Sequence, residues 1–327
     1  MTRSLLDTYH RQIDYMRISV TDLCNLRCVY CSSSEFEHLS HEDILRYEEI
    51  ERVVRSAAAL GISNIRLTGG EPTVRPGVTD LIRILKAVPG IEEISMTTNA
   101  IRLTQMAKEL KEAGLSRVNI SLDTFKPERF ERMCGVPALP DVLAGIEAAR
   151  QAGLNPVKTN TVVLRGINED EINDFARRTL TDNWHVRFIE EMPLVKDDDG
   201  HKMVSISEIK ERIEREFGEL LPSRTANGHG PARYFRIAGA EGTIGFIAPV
   251  TDCFCKECNR FRLTADGKLR PCLLRDDEVD LKPALRGGAS DSELQKLLLD
   301  TATLKYERHQ LAESIAPSGR NMRQIGG

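Results

Sequence analysis

The feature that most limits the fold is an alternation running from Tyr15 to Glu190. Six short runs rich in β-branched and apolar residues, YMRISV (15–20), NIRLT (64–68), EISMTT (93–98), RVNISL (117–122), VKTNTVVL (157–164) and HVRFIE (185–190), read as strands. Helix-period segments lie between them: YEEIERVVRSAAALG, TDLIRILKAV, TQMAKELKEAG, DVLAGIEAARQAG and EDEINDFARRTL. Two of these end in Gly61 and Gly114, as a helix C-terminus favours. Strands joined through helices pair in parallel, so the chain is expected to be α/β, an incomplete (βα)6 TIM-like barrel rather than a closed eightfold one. Residues 1–200 would form it. In such sheets functional groups collect on the loops after the C-terminal ends of strands.

That rule gives meaning to CNLRCVYC, which follows the first strand. Cys24, Cys28 and Cys31 are spaced C-x3-C-x2-C. Three thiolates can hold three irons of a [4Fe–4S] cluster and leave the fourth iron open to another ligand. A zinc site completed by His38 or His41 is the competing reading, although structural zinc more often uses two C-x2-C knuckles. TGGEP (68–72), TTNA (97–100), Ser121 in ISLDT and the EEMP turn (190–193) fall on the same rim.

After Met192 the rhythm breaks. PLVKDDDGHK reads as an acidic loop and SEIKERIEREF as a helix. The strand candidates ARYFRI and TIGFIAP lead into TDCFCKECNRFRLTADGKLRPCLL, where Asp266-Gly267 suits a hairpin turn. A helix is expected over DSELQKLLLDTATLKYERHQ, and the chain closes with SGRNMRQIGG. Residues 201–327 are thus expected to form an α+β extension. It carries a second trio, Cys255, Cys258 and Cys272, spaced C-x2-C-x13-C. Cys253 keeps a four-cysteine zinc ribbon open here, against the poor fit of C-x-C to one metal. Arg260 and Arg262 alternate onto one face of a strand, an arrangement suited to a polyanion such as a triphosphate.

The cysteine trio followed by GGEP resembles the radical S-adenosylmethionine (SAM) superfamily. The motifs YMRISVTDLCNLRCVYC, RLTGGEPTVR, RVNISLDT, VKTNTVVLRGIN, RFIEEMP, CKECNRFRLTADGKLRPCL and the final Gly-Gly together resemble the GTP 3′,8-cyclase family of molybdenum cofactor biosynthesis. The resemblance implies two [4Fe–4S] clusters, one on each trio. It implies SAM contacts from Tyr30, Gly69, Gly70, Glu71, Ser121 and Met192. GTP contacts would come from Arg17, Arg66, Thr97, Lys158, Arg260, Phe261 and Arg262. Gly326 and Gly327, with Arg17, would assist radical initiation, and Arg320 and Arg323 would dock the tail. The reaction implied is abstraction of the ribose C3′ hydrogen by an adenosyl radical and attack of that carbon on guanine C8. It further implies a homodimer, an electron donor such as flavodoxin or ferredoxin, and delivery of product to cyclic pyranopterin monophosphate synthase.

The sequence departs from the family pattern in three places. Ser32-Ser33-Ser34 stand where Met-Pro is common, Asn64 where lysine is frequent, and Ala100 where glycine is common. Cys134 is expected to be a small buried hydrophobe. A net charge of −4 excludes a global basic field for nucleic acid. No apolar run reaches the ~20 residues of a membrane span, and no export signal is evident, so a cytoplasmic location is expected.

Overall fold

The computed structural model describes residues 4–31, 37–192, 203–223, 230–311 and 320–326. The acidic stretch 193–202, Ser32-Ser33-Ser34 and Gly327 lie outside the described residues.

All six expected strands form: β1 (Tyr15–Ser19), β2 (Asn64–Thr68), β3 (Glu93–Thr98), β4 (Arg117–Ser121), β5 (Lys158–Val163) and β6 (His185–Glu190). They pair in parallel in sequence order. The expected helices between them also form: α1 (Tyr47–Ala58), α2 (Val78–Lys86), α3 (Leu103–Glu112), α5 (Leu139–Gln151) and α6 (Ile172–Thr181). A further helix, α4 (Pro127–Cys134), was not expected. Proline at its start and Gly135 (φ +81°) after its end are ordinary helix boundaries, but eight residues give little periodicity to read.

The sheet does not stop at β6. After α7 (Ile206–Phe217) come β7 (Leu221–Pro222), β8 (Arg233–Arg236), β9 (Thr243–Ile247), β10 (Arg260–Leu263), β11 (Lys268–Arg270) and β12 (Val279–Asp280). The full order is β12-β11-β10-β1-β2-β3-β4-β5-β6-β9-β8-β7. Strand β10 pairs in parallel with β1, and β9 with β6. The C-terminal part therefore lengthens both edges of the same sheet. The barrel stays open, because β9 and β10 turn to antiparallel partners β8 and β11 instead of to each other.

Alternation sorts the side chains. Met16, Ile18, Ile65, Leu67, Ile94 and Met96 point outward into the apolar layer under the helices. The residues between them face inward and are largely polar. Phe261 falls on the outward face: it is buried in the apolar core, so its ring does not reach the cavity that Arg260 and Arg262 line.

Helix α9 (Asp291–Thr303) is shorter than expected. It starts at a capping box in which the Ser290 hydroxyl accepts from Glu293 N while the Glu293 carboxylate accepts from Ser290 N. At its far end Thr301 and Thr303 turn their hydroxyls onto the carbonyls of Leu297 and Asp300. The chain then leaves as a loop, 304–311, that runs to the second cysteine trio. Before it comes α8 (Lys282–Arg286), and α10 (Met322–Ile325) ends the described tail. No helix among the described residues is long and apolar enough to cross a membrane.

Candidate functional site

One cavity gathers most of the expected residues. Its upper wall is the loop after β1, with Cys24, Cys28, Tyr30 and Cys31, together with Gly69, Gly70 and Glu71 after β2. Thr97, Ser121 and Met192 contribute from β3, β4 and the end of β6. Its opposite wall is Tyr15, Phe254, Arg260 and Leu273.

The two trios sit at opposite ends of the strands. Cys24 follows the C-terminal end of β1, whereas Cys258 precedes β10, whose Arg260 lies beside Tyr15 at the start of β1. Four residues of extended chain, about 13 Å, separate those levels. The rule that sites collect at C-terminal strand ends accounts for the first trio and not for the second.

Short backbone links fix the cysteine loop. Gly70 N donates to Thr21 O and Glu71 N to Leu23 O, both at 2.7 Å. A Cβ on Gly70 would lie 2.2 Å from Leu23 O, and one on Gly69 would lie 2.6 Å from Thr21 O. These glycines thus allow close approach of the GGEP turn to the cysteine loop itself. From the other side α4 pins the loop, through Arg27 N to Cys134 O (2.7 Å) and Val29 N to Met133 O (3.0 Å). Cys134 is buried as expected, with its Sγ 3.8 Å from Cys28 Sγ.

The Glu71 carboxylate is a structural hub. It accepts from Thr73 N (3.0 Å), Thr73 Oγ1 (2.6 Å), Thr98 Oγ1 (2.7 Å) and Asn99 N (2.7 Å). Most of its hydrogen-bonding capacity is spent on joining the β2 and β3 turns. Tyr30 donates to Asp123 Oδ2 at 2.6 Å. Burial raises the Asp123 carboxyl to about 6. Asp123 lines the cavity and was not singled out in the sequence, although it stands two residues after Ser121.

Burial pushes the Cys24 and Cys31 thiols up to about 12 in the free protein. Ligation as thiolates thus calls for a metal centre that displaces their protons. A single tetrahedral ion fits less well. Among the described residues the sole group of three or more Cys, His or acidic ligand atoms within 4.8 Å of one another is Cys253, Cys255 and His309. Neither expected trio is drawn that tightly, as thiolates around one zinc would be. His38, the possible zinc partner of the first trio, has its Nδ1 3.1 Å from Asp22 Oδ2. His309 has both ring nitrogens engaged by backbone, at Pro249 O (2.7 Å) and Leu311 N (3.3 Å).

Between the trios lies a layer of inward-facing cations. Arg17, Arg66, Arg187, Arg260 and Arg262 line the cavity, and Lys158 is buried beside them. Burial, joined by Arg262, holds Arg17 well below its ordinary value. Burial brings Arg66 and Arg262 down to about 10, and burial with Arg187, Arg117 and Arg66 nearby brings Lys158 down to about 5. Lys158 Nζ, and Nε and Nη2 of Arg187, have no hydrogen-bond partner among the described residues. Such a layer is costly unless an anion enters it. Arg187 was missed in the sequence, although it is an arginine inside a strand run just as Arg17 and Arg66 are.

The tail closes the cavity. Arg320 pairs with Asp266 (2.9 Å) and Glu278 (3.0 Å), and Arg323 Nη2 donates to Leu26 O at 2.6 Å. Gly326 reaches the ends of β1 and β2, where its carbonyl accepts from Arg262 Nη1 at 2.5 Å. Its φ is +80°, and a Cβ there would lie 2.4 Å from Thr68 Oγ1, so only glycine fits without displacement.

Residues 18–179 match the Radical SAM superfamily model, and residues 184–311 match the Molybdenum Cofactor Synthesis C model. The GTP 3′,8-cyclase of Pelotomaculum thermopropionicum is 48% identical over 324 residues, which are 98% of this chain and 99% of that one. The Moorella thermoacetica GTP 3′,8-cyclase is 51% identical over the same spans. Among solved structures, Streptococcus suis SuiB bound to precursor peptide SuiA has a TM-score of 0.65 at 14% identity, covering 90% of this chain and 66% of that chain. The anSMEcpe structure with bound AdoMet has a TM-score of 0.59 at 16% identity, covering 79% and 71%. At these identities the structural likeness shows the fold.

Proposed function

The chain belongs to the GTP 3′,8-cyclase family, and on that premise we propose that its cavity holds GTP between the two cysteine trios while C3′ of the ribose is joined to C8 of guanine. It is a radical SAM enzyme acting at the first step of molybdenum cofactor biosynthesis.

A [4Fe–4S] cluster with SAM at the first trio supplies a low-potential electron and a hydrogen-abstracting adenosyl radical. Cys24, Cys28 and Cys31 are its ligands in this reading. Tyr30, Gly69, Gly70, Ser121 and Met192 shape the SAM pocket, with Glu71 acting through the turn it braces. Cys255, Cys258 and Cys272 would hold a second [4Fe–4S] cluster, which would supply a binding site for the guanine base. Arg17, Arg66, Thr97, Lys158, Arg187, Arg260 and Arg262 receive the triphosphate and fix the ribose. Phe261 contributes by setting the register of the strand that presents Arg260 and Arg262. Gly326 and Gly327, with Arg17, would assist radical initiation in this reading, and the seat of Gly326 against Ser19, Thr68 and Arg262 suits exclusion of water. A homodimer, a flavodoxin or ferredoxin donor and hand-over to cyclic pyranopterin monophosphate synthase complete the proposal.

The observation that carries it is the buried cation layer, with orphaned donors on Lys158 and Arg187, lying between the two trios. Anaerobic reconstitution followed by incubation with GTP, SAM and a reductant tests it. The expected result is 5′-deoxyadenosine together with a cyclised nucleotide; a fully iron-loaded enzyme that forms neither would overturn it.

A further inference from the structure

Lys305 is a buried ammonium, 4% exposed, with no carboxylate partner among the described residues. Its Nζ donates to Cys258 Sγ (3.2 Å), Arg260 O (3.2 Å) and Pro271 O (2.8 Å). All three of its hydrogens are thus committed, two to backbone and one to sulfur. A buried charge persists when it has a counter-ion, and the anion within reach here is a thiolate of the second trio.

The placement is built from several directions. Helix α9 ends at Thr303, two residues short of Lys305, and so turns this side chain inward. The loop carrying it is held by Arg11, whose guanidinium donates to Tyr306 O (2.6 Å), Glu307 O (2.9 Å) and Cys255 O (2.6 Å). Arg11 is itself fixed by the buried Asp7 at 2.5 Å. Two cations therefore cross-tie the segments bearing the trio: Arg11 at Cys255, and Lys305 at Cys258 and at the residue before Cys272. Lys305 also holds the carbonyl of Arg260, so the same ammonium sets the strand that presents a substrate-facing guanidinium.

We propose that Lys305 is a positioning residue of the second cluster, which holds Cys258 and Cys272 at ligating separation and tunes the cluster by a charged N–H···S bond to Cys258. The inference rests on the second-cluster reading above. Hydrogen bonds and positive charge at cluster sulfurs stabilise the reduced, more negative state and so raise the reduction potential. Lys305 touches neither GTP nor SAM in this arrangement; it acts through sulfur and backbone.

The test compares the full-length wild type with Lys305→Met, Lys305→Gln and Lys305→Arg, all reconstituted anaerobically. Iron and sulfide are counted, and each cluster is titrated redox-potentiometrically by electron paramagnetic resonance. The signal that moves on adding GTP marks the second cluster, and the one that moves on adding SAM marks the first. In Lys305→Met the GTP-responsive cluster is expected to shift to more negative potential while the SAM-responsive cluster stays unchanged. Lys305→Gln, with a neutral donor, is expected to fall between. Selective loss of the second cluster's irons from the Met variant, with retention in the Gln or Arg variant, also supports the role. An unchanged potential and full iron content in Lys305→Met overturn the inference and leave the second cluster standing. A wild-type chain that holds about four irons instead of about eight overturns the second-cluster reading first.

Discussion

Lys158→Met separates the cost of the cation layer from its use. Lys158 is fully buried and its Nζ has no hydrogen-bond partner among the described residues. Burial, reinforced by Arg187, Arg117 and Arg66, lowers its pKa from 10.5 to about 5, so at pH 7.5 the side chain is neutral in the substrate-free protein. Holding it neutral costs the gap between 10.5 and 7.5, three pH units at 1.36 kcal/mol each, or about 4 kcal/mol. Methionine has similar length and nothing to discharge. The variant is expected to be more stable than wild type in urea unfolding of the substrate-free chain. The sign with pH follows from the depressed pKa: between about 5 and 10.5 the unfolded lysine binds a proton that the folded one does not. Wild-type stability therefore gains on the variant as pH rises, by about 1.4 kcal/mol per unit, and the variant's advantage shrinks from pH 6 to pH 9. The same group gives a binding signature. An entering triphosphate restores the lysine's charge, so GTP binding takes up a proton at pH 7.5, measurable by calorimetry in buffers of different ionisation enthalpy. The variant should lose that uptake and bind GTP more weakly. A variant less stable at every pH, or wild-type binding without proton uptake, would refute the reasoning.

Gly70→Ala places a Cβ 2.2 Å from Leu23 O, against backbone that cannot yield; iron analysis is expected to show loss of the first cluster with the second retained. Arg320→Met removes the link to Asp266 and Glu278 that anchors the tail. Product formation should fall about tenfold, a rise of ~1.4 kcal/mol in the barrier, with GTP affinity unchanged and carboxypeptidase attack faster. Ala100 has φ +66° in a fully buried turn, so Ala100→Gly should stabilise the chain by about 1 kcal/mol in thermal unfolding. Phe261→Leu is expected to cost about 1 kcal/mol of stability and to leave GTP affinity unchanged, because the ring faces the core.

The strands were legible to within about one residue because each combines β-branched residues with a change of period against its helical neighbours. The two-residue strands β7 and β12 carry no period at all and exist only because a neighbour offers an edge. Helix α9 was overread past Thr303, since LKYERHQ continues a helical pattern while its Lys305 and His309 are drawn off by partners distant in sequence. Arg17, Arg66 and Lys158 were legible as charges inside strand runs, a pattern that is costly without a ligand. Arg187 obeys the same logic and was overlooked in HVRFIE. What no spacing could give is the placement of the second trio at the opposite strand ends. That follows from the pairing of β10 with β1, a contact across some 240 residues.

That pairing has a consequence for how the protein is made. Strand β1 leaves the ribosome early, yet its outer neighbour, β10, is translated almost last, and the tail that seats against Ser19 and Thr68 comes later still. Until then a newly synthesised chain carries CNLRCVYC beside an unpaired sheet edge, with solvent reaching what will become the dry interior. Truncation near the C-terminus should thus injure the N-terminal thiols as well. Machinery that delivers iron and sulfide would meet a more open target during synthesis than after release.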